Sequence, residues 1–156
     1  MKQDRTTAWL VGLGSSHGDD RVGWEVIARL RESVPPGVRA EATGDPLHLL
    51  NCPADCGLLI VVDACHGAGL PGTLHRFVWP DSRLLTLGGT SSHGIGLMAA
   101  LELAATLGRL PPRVVILAIE GIADEPGEGL NHVVEAAIPA AVAAVLTELA
   151  QTGGCE

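Results

Sequence analysis

The segment Gly57-Leu-Leu-Ile-Val-Val-Asp63 constrains the fold more than any other stretch of the chain. Every position between its glycine and its aspartate is apolar, so neither face can be left to water. A strand of this kind belongs in the middle of a sheet covered on both sides by helices. Val114–Ile119 reads the same way and ends at Glu120-Gly121. Elsewhere the period becomes helical. Val22, Val26, Ile27 and Leu30 line one face of a helix over Val22–Leu30. Leu97, Leu101 and Ala104 or Ala105 do so for a helix from about Gly94 to Gly108. Val134, Ile138, Val142, Val145 and Leu149 mark a last helix over Asn131–Leu149, where Pro139 removes a donor and predicts a kink or a restart.

The remaining elements follow from punctuation. Ala8–Leu13 is a short apolar strand running into Gly12-Leu-Gly14, and Val38–Ala42 is a second, more polar one after Pro35-Pro36-Gly37. Asp45-Pro46 has the form of an N-cap and first residue of a short helix through Leu50. Thr73–Trp79 follows the central strand without room for a crossover helix, which makes it an antiparallel edge strand. Ser91 or Ser92 is placed to cap the helix that follows, and Gly108 to end it. The predicted fold is a single three-layer α/β/α domain over residues 1–156. Its mostly parallel five-stranded sheet carries one antiparallel edge strand. With one Phe, three Trp and no Tyr, the core must be aliphatic.

Charge and motifs exclude several functions. A formal charge of -8 opposes nucleic acid or an anionic membrane surface as partner. No apolar run is expected to reach the ~20 residues of a membrane span. The N-terminal segment has no signal-peptide core, so a cytoplasmic location is expected. Cys52, Cys56, Cys65 and Cys155 lack the paired Cys-x-x-Cys knuckles of a structural zinc site and are expected to be free thiols. There is no Gly-x-Ser-x-Gly elbow, His-Glu-x-x-His or Walker loop, which removes serine hydrolases, zincins and P-loop NTPases.

In open α/β sheets, ligands gather at the carboxyl ends of the strands. The first strand here runs into Gly12-Leu-Gly14-Ser-Ser-His-Gly-Asp19-Asp20, a turn that carries His17 where a dinucleotide loop has its third glycine. Two carboxylates at the helix start repel a phosphate and invite a cation. One of Asp19 and Asp20 is placed to cap the helix, but a cap does not need both. Asp63 closes the central strand, where a carboxylate must be paired, must hold turn amides, or must be functional. His93 precedes a helix, as a solvated loop residue or as a ligand; His17 and His66 are candidates for supporting roles. Asp20, Asp63 and His93 together offer oxygen and nitrogen ligands suited to nickel or zinc, and equally a general-base arrangement.

These pieces, in this order, resemble the hydrogenase maturation proteases. The resemblance runs through Leu10-Val-Gly-Leu-Gly14, Asp19-Asp20-Arg-Val-Gly23 and Leu58-Leu-Ile-Val-Val-Asp-Ala64. It continues in Pro71-Gly-Thr73, Ser92-His-Gly-Ile-Gly-Leu97 and Gly129-Leu-Asn-His-Val-Val134. It implies an endopeptidase that trims the C-terminal extension of a nickel-iron hydrogenase large-subunit precursor. By position, Asp20, Asp63 and His93 would then gather around nickel carried by the substrate rather than held permanently. The chain departs from the family at Ser15, where asparagine is usual, and at Glu41-Ala-Thr-Gly44, where the family favours Asp-Gly-Gly-Thr. The loop to Asp19 is also one residue short. A non-catalytic protein that docks on the same subunit and senses its nickel is the alternative.

Overall fold

The computed structural model describes residues 5–84, 94–122 and 129–153. Five strands, β1 (Ala8–Leu13), β2 (Val38–Thr43), β3 (Leu58–Cys65), β4 (Leu74–Val78) and β5 (Arg113–Glu120), form one sheet in the order β2-β1-β3-β5-β4. All neighbours are parallel except β4, which pairs antiparallel with β5 at the edge, as the short connection from β3 requires.

Alternation along the strands makes two cores. Leu10, Leu58, Ile60, Val62, Val115 and Leu117 face one side, which is covered by α1 (Val22–Leu30) and α3 (His132–Gly153). Trp9, Val11, Leu59, Val61, Ile116 and Phe77 face the other, covered by α2 (Gly94–Thr106) and the 3-10 turn Pro46–Asn51. The three layers therefore sit as expected. Asp45 caps the 3-10 turn as predicted, accepting the Leu47 amide at 2.9 Å. Gly108, at φ +68, follows the end of α2 in the left-handed conformation that glycine adopts without strain. Ser91 and Ser92 lie outside the described residues.

Three readings change. β3 runs through Cys65 rather than stopping at Asp63, because β5 continues to pair with it up to Cys65↔Glu120. α3 passes through Pro139 without a restart, and Asn131 caps it by accepting the Val133 amide at 2.9 Å. Its stretch His132–Gln151 is also, by length and composition, long and apolar enough to cross a membrane, contrary to expectation. In the fold, its Val134, Ile138, Ala141 and Val145 are wholly buried against the sheet. The buried Glu148 on the same helix is gripped by Arg76 and by Arg113, the latter at 2.6 Å.

Candidate active site

Between β1 and β3 the sheet reverses its winding: α1 leads to β2 on one face, while α2 covers the other. A crevice at the carboxyl ends is expected there. Glycines set how closely its walls approach. A Cβ on Gly23 would stand 2.3 Å from the Leu13 carbonyl oxygen and 2.6 Å from that of Val62; one on Gly14 would stand 2.2 Å from the Asp20 carbonyl oxygen. Only bare backbone fits, so the start of α1 rests directly on the ends of β1 and β3. The glycines that resembled a phosphate loop serve this contact, and the Ser15 amide closes the turn onto the Asp20 carbonyl at 3.3 Å.

The adjacent aspartates have different duties. Neither caps the 3-10 turn Gly18–Arg21 or α1 through its side chain, so that expectation fails. Asp19 instead holds two backbone amides far along the chain. Its Oδ2 accepts the Ile122 amide at 2.9 Å and its Oδ1 accepts the Asn131 amide at 2.7 Å. It thereby ties the turn after β1 to the exit from β5 and to the start of α3. Gly121 leaves room for this clamp: a Cβ there would lie 3.0 Å from Asp19 Cβ and 2.9 Å from the His66 ring.

Asp20 lies close enough for its charge to act on Asp63. Asp63 is 4% exposed, lies within β3 opposite Ala118, and accepts the Ala64 amide at 2.8 Å. Burial pushes its carboxyl well above the usual carboxylate range; the Ala64 amide opposes this, and the negative charge of Asp20 adds to it. No arginine among the described residues contributes to holding Asp63 charged. A desolvated carboxylate with a second one beside it binds either a proton or a cation. His93 lies outside the described residues. The helix that follows it in sequence, α2, packs Leu97 and Leu101 on the face shared by Leu59, Val61 and Cys65, which by alternation is also the face of Asp63. His17, expected in a supporting role, is exposed, its amide bonded to Ser15 Oγ at 3.2 Å.

Reasoning along the chain missed a neighbouring cluster. Cys65 closes β3, its register partner Glu120 closes β5, and His75 lies on β4. The Cys65 thiol donates to Glu120 Oε2 at 3.1 Å, and His75 Nε2 stands 3.3 Å from the same oxygen. Burial works to raise the Glu120 pKa, but bonds from Cys65, the Ala68 amide, His75 and the Gly69 amide outweigh it and hold the carboxyl low. Burial and that carboxylate both push the Cys65 thiol up. The signal was present in sequence only as strand ends: Cys65 and Glu120 finish two strands that both had to be central.

A cavity of about 450 Å³ opens at the opposite, amino ends of the strands, lined by residues that include Cys52, Cys56, Arg109 and Pro112. It is remote from Asp63. There the neighbouring Cys52 thiol draws the Cys56 thiol down, while the Cys56 Sγ donates to the Leu58 carbonyl at 3.1 Å.

Residues 41–148 match the family model described as hydrogenase maturation protease, HycI. The chain belongs to the hydrogenase maturation protease family. The matched segment includes Asp63 and His93, and begins beyond Asp20. Among solved structures, the chain is similar to the hydrogenase maturating endopeptidase HybD from E. coli. The two are 26% identical, with 94% of each chain covered and a TM-score of 0.79. An endopeptidase from Escherichia coli, solved in solution, matches at the same identity and coverage with a TM-score of 0.82. The hydrogenase 2 maturation peptidase from Thaumarchaeota archaeon SCGC_AB-539-E09 is 29% identical, with 92% of this chain and 97% of that one covered and a TM-score of 0.67. No curated protein sequence matches significantly. The protein is thus a peptidase of hydrogenase maturation, and its five-stranded α/β/α fold is the family's.

Proposed function

We propose that this protease removes the C-terminal extension of a nickel-iron hydrogenase large-subunit precursor, and that Asp20, Asp63 and His93 read the nickel already loaded in that precursor. The observation that supports this most is the desolvated Asp63, near the carboxyl end of β3, with the Asp20 charge beside it. Such a pair costs stability unless a cation or proton joins it, and a substrate-borne cation would relieve the cost at the moment of binding. Two carboxylates and an imidazole suit nickel, and three ligands leave coordination positions for the groups that hold the ion in the precursor.

In this reading, the substrate's nickel draws the scissile peptide to the strand ends and polarises its carbonyl. One carboxylate takes the proton from the attacking water. Asp19 does not take part in this chemistry; it ties the turn after β1 to the exit from β5 and the start of α3. The free thiols of Cys52, Cys56 and Cys65 fit work in a reducing cytoplasm.

The test is cleavage of the purified cognate precursor, followed by intact mass, for Asp20→Asn, Asp63→Asn and His93→Ala. Each should lose at least ~100-fold in rate while keeping the native circular dichroism, since removal of a group that stabilises the transition state costs ~3 kcal/mol or more. Near-normal cleavage by Asp63→Asn would remove this site from the reaction.

A further inference from the structure

The Cys65–His75–Glu120 cluster has no part in the chemistry proposed above, yet its geometry is that of a ligand set. Its three ligand atoms, Sγ, Nε2 and a carboxylate oxygen, lie within 4.8 Å of one another. Around a tetrahedral zinc ion, with bonds of ~2.0 Å to nitrogen and oxygen and ~2.3 Å to sulfur, neighbouring ligand atoms stand ~3.3 Å apart for N···O and ~3.5 Å for S···O. The corresponding separations here are 3.3 Å for His75 Nε2 to Glu120 Oε2 and 3.1 Å for Cys65 Sγ to Glu120 Oε2. The sulfur must move out by ~0.4 Å to meet the S···O value, and Sγ and Nε2 lie within 4.8 Å of each other.

We propose that Cys65, His75 and Glu120 bind a resident thiophilic divalent cation of the zinc class, distinct from the nickel brought by the substrate. The surroundings hold each ligand ready. Glu120 Oε1 accepts the Ala68 amide at 2.9 Å, which fixes the carboxylate and leaves Oε2 facing the other two ligands. The His75 ring stacks on Phe77 at 6.3 Å between centroids and 22° between planes. Cys65 and Glu120 are 3% and 1% exposed, so water offers little competition, while His75 forms the more open side.

The three ligands come from three strands, and Glu120 also holds the turn after β3 through Ala68. An ion there pins that turn to the sheet two residues beyond Asp63. The plain rival is that the thiol and the imidazole exist only to satisfy the buried carboxylate by hydrogen bonds. That arrangement needs no thiolate, and a probe of sulfur ligation separates the two. The proposal does not rest on the processing reaction, which is read by precursor cleavage instead.

The experiment is a cobalt(II) titration of the tag-free, full-length protein in a Cys52→Ser, Cys56→Ser, Cys155→Ser background, where Cys65 is the only remaining cysteine. The expected result is a thiolate-to-cobalt charge-transfer band that saturates at one ion per chain and is displaced by zinc. The band should vanish in Cys65→Ser, which keeps a hydroxyl donor for Glu120 and so preserves the fold. Affinity should fall at least ~10-fold in His75→Gln and in Glu120→Gln. Asp63→Asn and His93→Ala should bind cobalt no more weakly than the background does. Absence of the band, its survival in His75→Gln and Glu120→Gln at unchanged affinity, or its loss in Asp63→Asn or His93→Ala would overturn the proposal.

Discussion

Replacing Asp19 by alanine removes a carboxylate that accepts two backbone amides, Asn131 at 2.7 Å and Ile122 at 2.9 Å. Hydrogen bonds to a charged group contribute about 1.5–3 kcal/mol each, so the pair is worth up to ~6 kcal/mol. All three residues are only part-buried. Water can replace some of what is lost, and the expected cost is about 2–4 kcal/mol. For a chain of this size, each kcal/mol moves the melting temperature by about 2–4 °C. Melting followed by circular dichroism at pH 7 should therefore fall by roughly 4–16 °C. The neighbouring substitution, Asp20→Asn, takes a negative charge away from Asp63 and should leave the melting temperature unchanged or slightly raised. Asn131 caps α3, so amide exchange at the start of that helix should accelerate in Asp19→Ala and stay slow in Asp20→Asn. A loss below 1 kcal/mol for Asp19→Ala, or an equal loss for the two variants, would refute this division of labour.

Other perturbations follow from the same contacts. The Asp63 carboxyl is raised in the folded state above its ordinary 3.8, so the folded protein holds that proton to higher pH than the unfolded chain does. Its contribution therefore erodes stability as pH climbs from about 4 through the raised value. Asp63→Asn should accordingly gain on the parent protein between pH 4.5 and pH 7.5 in urea unfolding, while losing cleavage; no gain at the higher pH contradicts the argument. Gly23→Ala sets a methyl 2.3 Å from one carbonyl oxygen and 2.6 Å from another, neither of which can rotate away. A cost of about 1–3 kcal/mol is expected, with cleavage impaired even where the variant is fully folded, because a displaced α1 shifts the 3-10 turn Gly18–Arg21 that holds Asp20. An unchanged melting temperature would show that the backbone yields freely there. Glu148→Ala should cost more than Arg113→Ala, since removing one arginine still leaves Arg76 on the buried carboxylate; equal losses in a double-mutant cycle would argue otherwise.

Much of the fold was legible because burial on both faces leaves an unbroken apolar run, which located β3 and β5 without reference to anything else. β4 was legible by geometry, since no crossover fits between Cys65 and Leu74. What periodicity cannot mark is where pairing stops. β3 continues past its charged residue because Glu120 on β5 remains in register with Cys65. The duty of Asp19 was hidden for a related reason: its partners lie 103 and 112 positions away, whereas a cap is a local device. A search for ligand spacing along the chain could not find Cys65, His75 and Glu120, which meet only across three strands. Asp20 and Asp63 could be proposed in advance because the carboxyl ends of central strands are where such sheets gather ligands. The third expected ligand, His93, falls outside the described residues.

The central claim is that cleavage depends on the nickel the substrate carries. Cognate large-subunit precursor, purified with and without its nickel, should be mixed with the protease and followed by intact mass. The account predicts loss of the C-terminal extension from the nickel-loaded precursor alone, abolished by Asp20→Asn and Asp63→Asn. Equal cleavage of nickel-free precursor would contradict it.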